Sequence, residues 1–193
     1  MPRGVARDHD EKRAALRKGA ARYFAEHGFD RASMTGAAKA CGVSKALLYH
    51  YYDGKEALLF DILEDHLGAL ADRAEAAEGG IDGLIHAILS AYADADAEHK
   101  LQIDALNALP EDMRAPLVAL QRRLVSAMGT AVCALRPDLG ADQRRAAVMS
   151  VFGMLNWVFM WHRPDKGLSR EAYADLAADF VTAGLAGLPQ GGA

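Results

Sequence analysis

Four residues of one short segment, Lys45, Ala46, Tyr49 and His50, fall on one side of a helix if Ser44 caps it, because positions three and four apart are neighbours on a 3.6-residue turn. Lysine, tyrosine and histidine bring hydrogen-bond donors, and alanine leaves room for an apolar contact. Such a face recognises acceptors; it does not make or break bonds. At the first turn of a helix it suits the major groove of a duplex, whose base edges and flanking phosphates are rich in acceptors.

Other groups with chemical potential do not assemble into a reaction centre. The chain holds no G-x-S-x-G elbow, no glycine-rich phosphate loop and no H-E-x-x-H pair. Asp94, Asp96, Glu98 and His99 cluster near a helix end but point in several directions, which favours a solvated terminus over a metal site. His66 and His86 lie on or beside apolar stripes, where packed, hydrogen-bonded histidines are expected. Cys41 and Cys133 are far apart in sequence, so free thiols are expected, with Cys41 a small packed residue. The expectation is no enzyme, no catalytic residue, no metal and no cofactor.

The donor face needs a scaffold, and its neighbours have the anatomy of a helix-turn-helix. Ser33 caps a short helix over 34–40, and Ser44 caps a second over about 45–51 that stops near Asp53-Gly54. Between them Gly42 permits the left-handed backbone of a sharp turn. Leu48 and Tyr52, four apart, face inward with Val43. Ahead of both, Leu16, Ala20, Tyr23, Phe24 and His27 stripe a longer helix that Gly28 ends.

The remainder repeats apolar residues at helical spacing and never alternates with period two. Leu59, Ile62, Leu63, His66, Leu67 and Leu70 stripe a fourth helix; Ile81, Leu84, Ile85, Ile88, Leu89 and Tyr92 stripe a fifth beyond Gly79-Gly80. A sixth is expected around 100–108. A seventh has Pro116 in its first turn, an eighth runs from about 141 to 162, and Ser169 caps a ninth. The fold class is all-α with about nine helices: a head at 1–55, a body at 56–188 and a disordered tail at 189–193.

Charge separates head from body. Residues 1–55 hold 11 Lys and Arg against 6 Asp and Glu, a net +5, and the rest of the chain carries −9, which together make the −4 of all 193 residues. A basic head on an acidic body indicates a polyanionic partner for the head. The apolar run Ala146–Trp161 is interrupted by Ser150 and Asn156 and falls short of the roughly 20 residues that span a bilayer, so no membrane partner is expected. The polar start MPRGVARDHDEKR has no apolar core behind it, and a cytoplasmic location is expected.

The run GVSKALLYHYYDGKEALL resembles the TetR/AcrR family of dimeric one-component repressors. Gly42, Val43, Ser44, Leu48, Tyr49, Tyr51, Lys55, Glu56 and Leu58 all match its pattern. Tyr52 stands where phenylalanine is usual, Gly54 where serine or asparagine is common, and Ala37 replaces a larger aliphatic. The resemblance implies a double-stranded DNA operator as partner, with Lys45 and Ala46 at base edges beside His50, and Tyr49 and Tyr51 on phosphates or bases. It also implies that Thr35 and Lys55 meet phosphates near the starts of their helices, with Arg3, Arg7, Lys12 and Arg13 as arm or backbone contacts.

The eighth helix is apolar all round. Val148, Val151, Phe152, Leu155, Val158, Phe159 and His162 share one face, while Met149, Gly153, Asn156, Trp157 and Met160 form much of the other. A helix apolar on both sides must be buried on both, and the resembling family supplies the second cover as a partner subunit. The expected homodimer interface therefore holds Met149, Gly153, Trp157, Met160, Ala177, Phe180 and Gly184. The family also senses small ligands in the body. Leu67, Ile85, Leu89, Leu106, Leu120, Leu124, Phe152 and Phe159 are candidates for a pocket wall or for plain core, with Met113, Met128 and Met154 as filler.

The pattern Asn156-Trp157 with Trp161-His162-Arg163-Pro164 is similar to the branch that represses fatty-acid, acyl-CoA or sterol degradation genes. It implies a small apolar effector, a fatty acyl-CoA or related lipid, with Arg122, Arg123 or Arg163 for its phosphates. The reading that emerges is a ligand-responsive transcriptional repressor that binds a palindromic operator as a homodimer. The alternative is a DNA-binding activator or architectural helical protein without an effector.

Overall fold

A computed structural model describes residues 3–163 and 166–189, with the side chains of residues 3–8 outside the description. The expected contacts of Arg3 and Arg7, the turn residue Pro164 and the tail beyond Pro189 thus lie outside the described residues. The all-helical class holds: among the described residues ten α-helices and one 3₁₀ turn follow in order, with one isolated bridge between Arg163 and Lys166. They are α1 (Arg3–His27), α2 (Met34–Ala40), α3 (Lys45–Tyr51), α4 (Lys55–Glu75), α5 (Gly80–Tyr92), α6 (Asp96–Asp104), the 3₁₀ turn (Leu106–Ala108), α7 (Glu111–Leu135), α8 (Ala141–Asn156), α9 (Val158–Trp161) and α10 (Arg170–Gly187). The chain divides into two compact units. One holds the residues up to His66 with Ala97–Leu117; the other holds Leu67–Asp96 and the residues from Val118 on.

In the first unit the caps are the ones the sequence specifies. Ser33 Oγ accepts from the Gly36 amide at 3.1 Å and Ser44 Oγ accepts from the Leu47 amide at 3.1 Å, so each short helix has an orphan donor satisfied. Gly42 turns the chain at φ +68°. Close approach of α1 to α2 depends on absent side chains. A Cβ on Gly19 would stand 2.8 Å from Cys41 Sγ, and Cys41 itself packs there with its thiol directed at the Leu16 carbonyl, 3.5 Å away. Leu48, Leu58 and Leu59 are fully buried, and each such side chain contributes about 1.5–3 kcal/mol through lost apolar surface.

The second unit centres on α5 and α10, joined by α8. Ile85 and Leu89 of α5 are fully buried, as are Ala177 and Val181 of α10 to within a few per cent. Inside it the Tyr92 hydroxyl donates to Asn156 Oδ1 at 2.9 Å, the partner a buried phenol requires.

Three element boundaries depart from expectation. The seventh helix starts at Glu111, so Pro116 sits inside it and not in the first turn. Glu111 and Asp112 favour that start by complementing the helix dipole, and the proline's missing amide removes one ladder bond close to the terminus. The sixth helix begins earlier, at Asp96, and ends in a 3₁₀ turn. The eighth is not continuous to 162: it ends at Asn156, and Trp157 turns the chain before the four residues of α9. The run Trp157-Val158-Phe159 combines aromatic and β-branched side chains that lose rotamer freedom in a helix.

Candidate nucleic-acid interface

The two-turn helix α3 is anchored on one side and open on the other. Leu48 is 0 % exposed and Tyr52, at the C-cap, is 5 % exposed. Lys45, Ala46, Tyr49 and His50 are all exposed, as is Leu47. Spacing alone predicted this partition, since Leu48 and Tyr52 are one turn apart on the side opposite the donors. Lys45 Nζ lies 5.5 Å from the centre of the Tyr49 ring, a cation–π distance that keeps the ammonium beside the phenol. His50 meets Tyr51 edge to face at 5.6 Å, and Tyr51, half-buried, stacks on His9 of α1 at 4.8 Å.

Thr35 is exposed in the first turn of α2. Lys55 is placed differently. Its ammonium donates to the Phe29 carbonyl at 3.2 Å and the Asp30 carbonyl at 3.3 Å, and stands 4.6 Å from the Phe29 ring centre. The structure therefore brings Lys45, Ala46, Tyr49 and His50 to one surface, with Tyr51 at its edge, and engages Lys55 in holding the loop after α1.

Beneath this surface lies a polar node that the spacing within α3 does not reveal. Asp61 of α4 is 5 % exposed. It accepts from the Tyr52 hydroxyl at 2.6 Å, from Arg13 Nε at 3.0 Å and Nη2 at 2.6 Å, and from Arg17 at 3.5 Å. Arg17 also pairs with Asp65 at 2.8 Å. Burial first, and then the hydrogen bond to Asp61, push the Tyr52 phenol well above its usual range. Arg13 is raised chiefly by its hydrogen bond to Asp61. Arg13 is thus bound to a carboxylate of its own chain, contrary to the expected backbone contact. The signal that could have found the node is the doubled spacing: Arg13 and Arg17 on α1, Asp61 and Asp65 on α4, each pair one turn apart.

Within the second unit, Leu67, Ile85, Leu89, Leu124 and Phe152 are buried, whereas Leu120 and Phe159 are half-buried; Leu106, also buried, belongs to the first unit. Of the arginines assigned to phosphates, Arg123 is paired with Glu75 and Asp72 at 2.6–2.7 Å. Arg122 and Arg163 are exposed. Met149, Gly153, Trp157, Met160, Phe180 and Gly184 are exposed, Trp157 by 58 % and Phe180 by 67 %, while Ala177 is buried within its own chain. A groove of about 450 Å³ beside Phe180 and Gly184 runs between α8 and α10 and is lined largely by apolar residues.

His99 is buried and His66 is 8 % exposed, their rings 6.1 Å apart. Asp96 bonds Arg170 at 3.1 Å, and His86 pairs with Asp175 at 3.1 Å. Among the described residues no three His, Cys, Asp or Glu side chains gather as a metal site, and no helix is long and apolar enough to cross a membrane.

The family described as bacterial regulatory proteins, tetR family, matches residues 16–62, and the tetracyclin repressor-like C-terminal domain matches residues 80–185. A TetR-family transcriptional regulator from Bordetella parapertussis has a crystal structure similar to this chain, with a TM-score of 0.81 at 32 % identity over 92 % of this chain and 97 % of that one. The HTH-type transcriptional regulator UidR of Escherichia coli is 36 % identical over 110 residues, so the chain spans about half, 55 %, of that relative's length. AibR, crystallised with isovaleryl coenzyme A and operator DNA, shares the fold with a TM-score of 0.72 at 22 % identity, over 88 % of this chain and 97 % of its own. With a capped helix-turn-helix at one end and a matching helical C-terminal domain after it, this chain belongs to the TetR family of bacterial transcriptional regulators.

Proposed function

We propose that this protein is a ligand-responsive transcriptional repressor that binds a palindromic DNA operator as a homodimer and is released by a small apolar effector. The observation that carries the reading is the exposed donor face of α3, Lys45, Ala46, Tyr49 and His50, on a helix whose other side is buried. In this reading Lys45 and His50 donate to base edges, Ala46 makes an apolar contact, and Tyr49, Tyr51 and Thr35 bond phosphates. Lys55 supports the interface by fastening the loop at Phe29–Asp30 and presents its backbone at the start of α4 to a phosphate. The head is residues 1–55 and the ligand-binding and dimerisation domain is 56–188.

The homodimer is supported by the exposed apolar side chains Met149, Trp157 and Met160 in the stretch 149–160 and Leu176 and Phe180 on α10, with Gly153 and Gly184 also exposed. Large exposed apolar side chains gathered on a few elements favour an interaction surface, and a two-fold pair of heads reads a two-fold operator. The effector is assigned to the second unit, whose buried Ile85, Leu89 and Leu124 are apolar and where the Tyr92–Asn156 hydrogen bond supplies a polar pair. AibR, of similar fold, was crystallised with isovaleryl coenzyme A and operator DNA, which supports an acyl-CoA as the class of effector to test.

The test is binding to a duplex that the protein selects from a randomised pool, at several salt concentrations, with and without acyl-CoAs and free fatty acids of graded chain length. Lys45→Ala should lower affinity for the selected duplex by the equivalent of about 1–3 kcal/mol and weaken unrelated DNA less. Equal affinities in wild type and variant overturn the docking. Effector binding should raise the melting temperature and displace the duplex; no effect at any chain length overturns the acyl effector.

A further inference from the structure

We propose that Asp61 is a positioning residue for DNA recognition: through Tyr52 it fixes the orientation in which α3 presents its donor face. This rests on the reading of α3 as the DNA-contacting helix. The helix has seven residues, too few to be stable or to hold a direction by its own hydrogen bonds. It has two buried anchors, Leu48 and Tyr52. Leu48 is apolar and its packing is non-directional. Tyr52 is directional: its hydroxyl lies 2.6 Å from Asp61 Oδ2, and it forms the C-cap of the helix that carries Lys45 and Tyr49.

Asp61 in turn cannot drift. Arg13 grips both carboxylate oxygens in a two-point contact, and Arg17 adds a third donor and ties itself to Asp65 one turn further on. Two-point arginine–carboxylate contacts impose geometry as well as attraction. The result is a chain of hydrogen bonds from α1 through α4 to the end of α3. A shift of α3 along α4 would break the Tyr52 bond and leave a buried carboxylate short of a donor, which is costly. The phenol is what makes this possible, since a phenylalanine at position 52 would fill the same space without a donor.

The experiment uses the full chain, a duplex selected by the wild type from a randomised pool, and an unrelated duplex of equal length. Tyr52→Phe keeps the ring and removes only the hydroxyl. It should retain wild-type helix content and the wild-type salt slope, because no phosphate contact is lost. Affinity for the selected duplex should fall about three- to tenfold, the scale of one ordinary net hydrogen bond, with affinity for the unrelated duplex unchanged within about twofold. Asp61→Asn should lose the same discrimination and melt at a lower temperature. If both duplexes weaken together in Tyr52→Phe, or neither does while Lys45→Ala still loses discrimination, the positioning role is wrong. If the wild type enriches no sequence at all, the recognition-helix reading fails and this inference goes with it.

Discussion

Gly36 of α2 lies directly against the phenol of Tyr23 on α1: a Cβ placed on Gly36 would stand 2.0 Å from Oη and 2.4 Å from Cζ. Tyr23 is itself fixed, tilted against His27 at 4.5 Å and against Phe24 at 5.9 Å, so the ring has little freedom to yield. Gly36→Ala should gain up to about 1 kcal/mol in helix propensity and lose about 1–3 kcal/mol to overpacking, a net destabilisation. Thermal denaturation reads the sign. Tyr23→Phe should not relieve the clash, because Cζ remains, whereas Tyr23→Leu combined with Gly36→Ala should lose less than the two single changes added together.

His66 makes stability depend on pH. Burial first, and then the neighbouring His99, lower its pKa from 6.5 to about 4, against a raising hydrogen bond from Gln102. The folded chain therefore holds fewer protons on this group than the unfolded chain between those values. Its contribution is complete above about pH 6.5 and lost as pH falls toward 4, by about 3 kcal/mol at most. Glu98, raised mainly by burial, acts with the opposite sign, since its protonated form is favoured by folding. Chemical denaturation of wild type and His66→Gln across pH 4–8 separates them: the difference between the two curves should narrow as pH falls.

Phe180 is the most exposed large apolar residue of the proposed subunit contact, at 67 %. Phe180→Asp should leave the subunit folded, because the side chain supports little of its own core, and should shift the molecule from dimer to monomer by light scattering. Operator affinity should fall with it, since one head reads only a half-site. A wild type that is monomeric at tens of micromolar would sink the dimer reading.

Lys55 and Lys45 should separate in a melting experiment. Lys55→Ala removes two hydrogen bonds to backbone carbonyls and a contact with the Phe29 ring, and should lower the melting temperature by a few degrees, about 1–2 kcal/mol in a chain of this size. Lys45→Ala, whose side chain is exposed, should leave melting within about 0.5 kcal/mol of wild type.

Arg136 closes the end of α10. Its guanidinium donates to the carbonyls of Leu185, Leu188 and Pro189 while Asp138 binds it from the other side at 2.7 Å. Carbonyls at a helix C-terminus have no partner within the helix, so Arg136→Ala should let the last turn fray. Hydrogen exchange over residues 183–189 should accelerate in the variant, with α5 unaffected.

What the sequence determined by itself is local. Ser33, Gly42 and Ser44 specify two capped short helices and the turn between them, because caps and left-handed turns depend on a residue and its next three neighbours. The separation of Leu48 and Tyr52 from the donor face follows from helical spacing alone, and so do the stripes of α4 and α5. Tertiary structure decided what spacing does not carry. Asp61 reaches Arg13 across 48 residues, and Tyr92 reaches Asn156 across 64; spacing can align such groups on their own helices but does not say which helices meet. It also decided that Ala177 faces inward while Gly153 and Gly184 lie open, and that the helix from Ala141 ends at Asn156, before the aromatic run. The physical reason is common to all of these: burial and partner choice are properties of surfaces that meet only when the chain is folded, and propensity yields to packing where the two disagree.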